Sequence, residues 1–230
     1  MTASNPIYVA LDTADLQAAL ALAKQVRPHA GGLKVGLEFV SAHGPEGVKA
    51  IVALGLPVFL DVKLHDIPTT VAGAVRALAG LGVKIINIHA AGGTAMMQAA
   101  KEAAGGRAKI IAVTILTSLD DADLAAVGYA ATSQQQVVKM ARLAKDAGLD
   151  GVVCSAHDLA VVRAACGPDF LTVVPGSRPA GSDVNDQKRF MTPPDARAAG
   201  ADILILGRPV THAADPRGAC RQVAVSLGLA

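Results

Sequence analysis

The chain has 230 residues, 52% hydrophobic and 17% charged, and its 21 basic and 19 acidic side chains leave a net charge of +2. This is ample material for a large core, and the near-balanced charge argues against the broad basic footprint of a nucleic-acid binder. Cys154, Cys166 and Cys220 are odd in number and lack metal-ligand spacing, the first six residues show no signal-peptide pattern, and no apolar run nears the roughly 20 residues of a membrane span, so a cytoplasmic protein is expected.

Short aliphatic runs alternate with Ala- and Leu-rich segments of helical period. The spacing predicts a first strand over Ile7–Leu11, ending at Asp12, and a helix from about Asp15 with Leu16, Ala19, Leu20, Ala23 and Val26 on one stripe. A short second strand, Gly32–Val35, precedes a helix broken near Gly44-Pro45 and running to Leu54. The third strand covers Val58–Lys63 and its helix Thr69–Ala79, with Pro68 suited to the first helical turn. Strand four is Ile85–His89, followed by a helix over Ala95–Ala104, and strand five is Ile110–Leu116. Helices over 121–127 and 133–147 lead to strand six at Gly151–Cys154 and a helix from about Asp158 to Ala165. Strand seven is Leu171–Val174, strand eight Ile203–Leu206, and a last helix covers Pro216–Leu227.

Eight strands, apolar along nearly their whole length as strands buried on both faces must be, fit an open doubly wound sheet or a closed (β/α)8 barrel. Eight units in this length favour a single-domain TIM barrel, and the Gly-rich turn of the open alternative is missing from Asp12-Thr13-Ala14-Asp15. The segment 175–191, rich in Gly, Pro, Ser and Asp, is long for a connection and reads as a lid over a ligand.

In such a barrel the site is built at the C-terminal strand ends. Those ends carry Asp12, Lys34, Asp61 with Lys63, His89, Thr117, Ser155, Arg178 and Arg208. Residues two apart on a strand share a face, so Asp61 and Lys63 meet at one tip, and Asp66 lies just beyond it. Each alone reads as a solvated rim charge; their convergence on one rim reads as a site. Gly207-Arg208, beside the loop with Gly176, Arg178 and Gln187, supplies a close-approaching backbone and a bidentate cation where such barrels hold phosphate.

The motif Asp61-x-Lys63-x-x-Asp66-Ile67-Pro68-x-Thr70 resembles the signature of the orotidine 5′-monophosphate decarboxylases. Ala10-Leu11-Asp12, Leu33-Lys34-Val35-Gly36, Leu116-Thr117-Ser118, Pro175-Gly176-x-Arg178-Pro179, Asp186-Gln187-Lys188-Arg189 and Gly207-Arg208-Pro209 resemble its other motifs, in order along the chain. Leu64, Thr69, Ser177 and Phe190 depart from the residues common in that family. The resemblance implies cofactor-free, metal-free loss of carbon dioxide from orotidine monophosphate, with Lys63 protonating the ring carbanion beside Asp61, within a neutral array of Lys34, Asp61, Lys63 and Asp66. It also implies Asp12 and Lys34 at the ribose, Thr117 at the pyrimidine, and Gln187 and Arg208 at the phosphate. Asp66 and Thr70 would cross to a second subunit of a homodimer. The rival within the same wider group is a magnesium-dependent enzyme of keto-sugar phosphates, which carries a metal-binding Glu where this chain has Lys34. From a different class, a non-catalytic nucleotide-binding barrel is disfavoured by Lys63, which has no evident use in mere binding.

Overall fold

A computed structural model describes residues 5–177 and 191–229. Eight parallel strands among them close in chain order: β1 (Ile7–Ala10), β2 (Gly32–Gly36), β3 (Val58–Leu64), β4 (Ile85–His89), β5 (Lys109–Val113), β6 (Gly151–Val153), β7 (Leu171–Val174) and β8 (Ile203–Leu206). Pairing of Ile7 with Leu204 and of Val9 with Leu206 joins the last strand to the first. The expected single-domain TIM barrel is therefore the observed architecture. The helices are α1 (Leu16–Val26), α2 (Leu37–Val52), α3 (Pro68–Ala79), α4 (Gly93–Ala104), α5 (Asp121–Ala126), α6 (Ser133–Asp146), α7 (Leu159–Cys166), α8 (Pro193–Ala198), α9 (Arg208–Thr211) and α10 (Pro216–Ser226).

Strand alternation divides the core in two. Tyr8, Ala10, Phe59, Ile85, Ile111, Val173, Ile203 and Ile205 fill the barrel interior. Their neighbours, including Ile7, Val9, Leu33, Leu60, Ile86, Ile110 and Leu204, face outward against the apolar helix stripes. Full burial of each such aliphatic side chain stabilises the fold by about 2 kcal/mol, so a chain with few aromatics can still close a large core. Local signals fix the helix starts. Asp15 accepts the Ala18 N–H, Thr132 and Gln135 form a capping box on α6, and Pro68 opens α3. The expected break in the second helix falls at Gly44, whose φ of 55° interrupts α2 just before Pro45. Cys154, Cys166 and Cys220 are all free and buried, and burial first, with the nearby Asp158 carboxylate, pushes the Cys154 thiol up to about 12.

Two departures from the expected elements matter for the rim. β5 ends at Val113 rather than Leu116: the Thr114 N–H and hydroxyl both donate to the Val153 carbonyl, at 3.3 and 2.9 Å, and the chain then turns away from β6. The one-turn helix α9 was not expected: Gly207 precedes it and Pro209 sits in its first turn, so Arg208 is held at a helix start rather than in an open loop. No helix among the described residues is long and apolar enough to cross a membrane. Of the expected lid, 178–190 lies outside the described residues, with Arg178, Gln187 and Phe190 in it.

Candidate active site

At the C-terminal mouth of the barrel, β1, β2 and β3 deliver a line of alternating charge. Lys34 Nζ contacts both carboxylate oxygens of Asp12 at 2.9 Å and Asp61 Oδ2 at 3.2 Å. Lys63 Nζ donates to Asp61 Oδ1 at 2.6 Å. Pairing of Ala10 with Lys34 and of Gly36 with Asp61 puts these side chains on the inward face of adjacent strands. Gly36 makes room for them: a Cβ there would lie 2.7 Å from Asp12 Oδ1 and 3.0 Å from Lys34 Nζ. The Lys34 side chain is only 8% exposed, so its charge is sustained by the two carboxylates rather than by water.

Lys63 reaches Asp61 by a route that strand alternation did not foresee. Leu60 pairs with Ile86 and Leu64 with Ile88, so β3 bulges between them, and Lys63 takes a left-handed φ of 51°. A non-glycine residue pays on the order of 1–3 kcal/mol for such a backbone, and it persists only where its surroundings hold it. Asn87 does the holding. Fully buried on β4, it accepts the Lys63 N–H at 2.8 Å and donates to Asp61 Oδ1 at 2.7 Å. Burial alone would push the Asp61 carboxyl up, but the Lys34 and Lys63 charges and the hydrogen bonds from Lys63 and Asn87 hold it below the ordinary carboxylate range. Two counter-cations and an amide thus keep Asp61 ionised where a lone buried acid would take up a proton.

Asn87 was missed in the sequence; the available signal was a lone amide inside the aliphatic run Ile85-Ile86-Asn87-Ile88. Asn87→Ala is expected to lower turnover by roughly 10- to 100-fold through misplaced Lys63 and Asp61, with KM changed far less. Steady-state kinetics together with urea denaturation would check this; unaltered turnover in a destabilised protein would make Asn87 purely structural.

The other expected residues fall in three groups. Gly207 and Arg208, with Gly176 and Ser177, line a cavity of about 180 Å³ that also touches Asp12, Lys34 and Asp61, so the β7 and β8 loops join the charge array directly. Ser177 is 2% exposed and its Oγ has no hydrogen-bond partner among the described residues, leaving a buried hydroxyl in this corner. Thr117 lies in the turn after β5, half-buried, and Thr70 is exposed near the start of α3. Asp66 stands apart. Its exposed carboxylate accepts the N–H of Ile67 at 2.7 Å and pairs with no cation among the described residues, because the chain has already turned outward past β3. Within one chain the neutral array therefore closes on Asp12, not on Asp66. Ser155 is spent on a cap, accepting the His157 N–H. The His89 ring lies 5.5 Å from that of His65, and burial, with the neighbouring charges of His65 and Lys63, lowers its pKa and favours the neutral ring. Among the described residues no cluster of His, Cys, Asp and Glu has the makings of a metal site.

The family profile described as "Orotidine 5'-phosphate decarboxylase / HUMPS family" matches residues 5–223. The chain belongs to this family. Among similar proteins, orotidine 5′-phosphate decarboxylase of Paramagnetospirillum magneticum is 49% identical, the match covering 98% of this chain and 99% of that protein. The enzyme of the same name from Novosphingobium aromaticivorans is 52% identical over 97% of this chain and all of its own. The crystal structure of orotidine 5′-phosphate decarboxylase from Lactobacillus acidophilus superposes with a TM-score of 0.85 at 35% identity, covering 97% of this chain and 99% of that one. The likeness thus spans the whole barrel.

Proposed function

We infer that the protein decarboxylates orotidine 5′-monophosphate to uridine 5′-monophosphate, the last step of de novo pyrimidine nucleotide synthesis, in the cytoplasm. The observation that carries this is the Asp12–Lys34–Asp61–Lys63 line at the barrel mouth, in a chain about half identical over its length to proteins named for that activity. The chemistry needs such a line. When the bond from the sixth ring carbon to the carboxylate breaks, the electron pair stays on that carbon in the ring plane, out of reach of the π system. Stabilisation must come from charges already in place. Lys63 Nζ supplies the cation and then the proton that ends on the ring carbon. Asp61 faces the departing carboxylate, and two unit charges about 4 Å apart repel by roughly 4 kcal/mol at an effective dielectric near 20, a cost released with carbon dioxide.

Asp12 and Lys34 take the ribose hydroxyls and Thr117 the pyrimidine. Arg208 and the Gly207 backbone take the phosphate with Gln187 and Arg178, under a lid over 175–191. The Ser177 hydroxyl, without a hydrogen-bond partner among the described residues and in the same cavity as Arg208, supports an oxygen-rich ligand in that corner. A homodimer completes each site with Asp66 and Thr70 of the other subunit. Its support is the exposed Asp66 and the apolar surface beside it: Ile67 is 64% exposed and Leu37, at the start of α2 on the same rim, 54%.

Incubation with orotidine monophosphate, following loss of its ultraviolet absorbance, tests the reading directly. Turnover is expected without added metal and in the presence of a chelator, since the Lys34 ammonium would repel a divalent cation from Asp61. Abolition by chelator and rescue by magnesium would favour the keto-sugar phosphate rival. Arg208→Ala is expected to raise KM by about 100-fold or more, and phosphite should activate turnover of the phosphate-free nucleoside only where Arg208 is present. Unchanged affinity for phosphorylated and unphosphorylated ligands would remove Arg208 from the phosphate site.

A further inference from the structure

We propose that the opposite, N-terminal mouth of the barrel is a second binding site, for a small molecule carrying a diphosphate group. A cavity of about 690 Å³ opens there among the residues that begin the strands, within the size range of sites for small organic ligands. Its lining is strongly cationic: Lys84, Lys101, Arg107 and Lys109 face it together with two carboxylates, Asp150 and Asp202. Both acids are already engaged. Asp150 Oδ2 accepts Lys101 Nζ at 2.6 Å and the Ile110 N–H at 2.7 Å. Asp202 Oδ2 accepts Arg163 Nη2 at 2.6 Å and the Thr172 N–H at 2.8 Å. Each carboxylate thereby pins one strand start to its neighbour and has its own counter-cation.

Lys84, Arg107 and Lys109 pair with no carboxylate among the described residues. Arg107 spends Nε and Nη2 on the Ala104 and Ala103 carbonyls at 3.3 Å, which leaves guanidinium N–H groups for a ligand. Lys84 and Lys109 are adjacent, the Lys109 N–H donating to the Lys84 carbonyl at 2.9 Å. Moreover, Lys109 stands on the face of β5 that carries Ile111, an interior position where barrels pack branched aliphatics. Two ammonium groups at neighbouring strand starts repel, and an anion between them reverses the sign of that interaction. Three cations without a carboxylate match a diphosphate better than a single carboxylate or halide.

A second observation points the same way. Tyr8, on the inward face of β1, lines the cavity while only 8% exposed, and its hydroxyl has no hydrogen-bond partner among the described residues. The ring is seated deliberately: a Cβ at Gly32 would come within 2.3 Å of Tyr8 Cε1. Burial raises the Tyr8 pKa, so the phenol remains a neutral donor. A hydroxyl carried on a buried ring and opening on a cationic mouth supplies one directed hydrogen bond to the organic part of the ligand or to a bridging oxygen.

The test is calorimetric titration with inorganic pyrophosphate and, separately, adenosine diphosphate, on protein whose catalytic mouth is saturated with uridine monophosphate. Saturable binding of one pyrophosphate per chain is expected. It should weaken by about tenfold or more in Lys84→Met/Lys109→Met, with the decarboxylation rate unchanged, and by a smaller factor in Tyr8→Phe. Because both lysines are exposed, the double variant should keep its fold, and the unchanged rate checks that. Absence of saturable binding of either probe, equal affinity in the double variant, or equal binding of sulfate at matched ionic strength would each overturn the proposal.

Discussion

Lys63→Ala is expected to lower turnover by at least about 10⁴-fold, combining loss of a general acid with loss of the cation opposite the developing carbanion. Affinity for uridine monophosphate should stay within a few-fold, because Lys63 acts on charge that exists only on the way to product. The geometry makes the comparison clean. Removing the ammonium leaves Asp61 with Lys34 at 3.2 Å and Asn87 at 2.7 Å, so the carboxylate keeps two partners and its place. A signature in pH should accompany the loss. Asp61 is held below its ordinary range in the fold, so its ionised form contributes stability above the unfolded-state value, and that contribution disappears as pH falls through the folded-state value. Without Lys63 the folded-state value rises and the contribution shrinks, so acid unfolding should begin at higher pH than in wild type. Single-turnover kinetics, product titration and acid denaturation measure the three quantities. A variant that keeps more than a small fraction of its rate would mean that another group delivers the proton.

The barrel could be read in the chain because its evidence is periodic: eight aliphatic strands spaced by helical stripes leave few ways to bury every face. The charged rim could be read for the same reason, since Asp12, Lys34, Asp61 and Lys63 each interrupt or end an otherwise apolar run near a strand's C-terminal end. What escaped was set by side chains acting across strands. Asn87 lies 24 residues from Lys63 and resembles any polar residue in a strand until its two hydrogen bonds across the bulge are seen. The bulge itself has no local signature, because Asp61-Val62-Lys63 alternates as a regular strand would. Ser155 sits at a strand end like the site residues, yet its oxygen is used by the next turn of backbone. Lys84 and Lys109 carry no signal in the sequence that sets them apart from other charges flanking strands; only the closed barrel brings both to one cavity with Tyr8.

Mixing Lys63→Ala with Asp66→Asn, each nearly inactive alone, is expected to restore roughly a quarter of wild-type activity once subunits exchange. Asp61 and Lys63 share one strand tip and touch, but Asp66 has left the strand, is exposed and, among the described residues, holds only its neighbour's N–H. An acid so placed does little for its own chain, whereas a residue on an outward-turning rim beside exposed Ile67 is well placed to enter a partner's site. In a mixed two-fold dimer, one site would combine both lesions. The other would take an intact Lys63 from one chain and an intact Asp66 from its partner. Equal amounts exchanged at random make about half the dimers mixed, each with one of its two sites whole, which gives the quarter if sites act independently. Native mass spectrometry of differently tagged chains verifies the exchange. If Asp66 serves its own chain instead, every site in the mixture keeps one lesion, and verified exchange with no recovery would return Asp66 to the site of its own subunit.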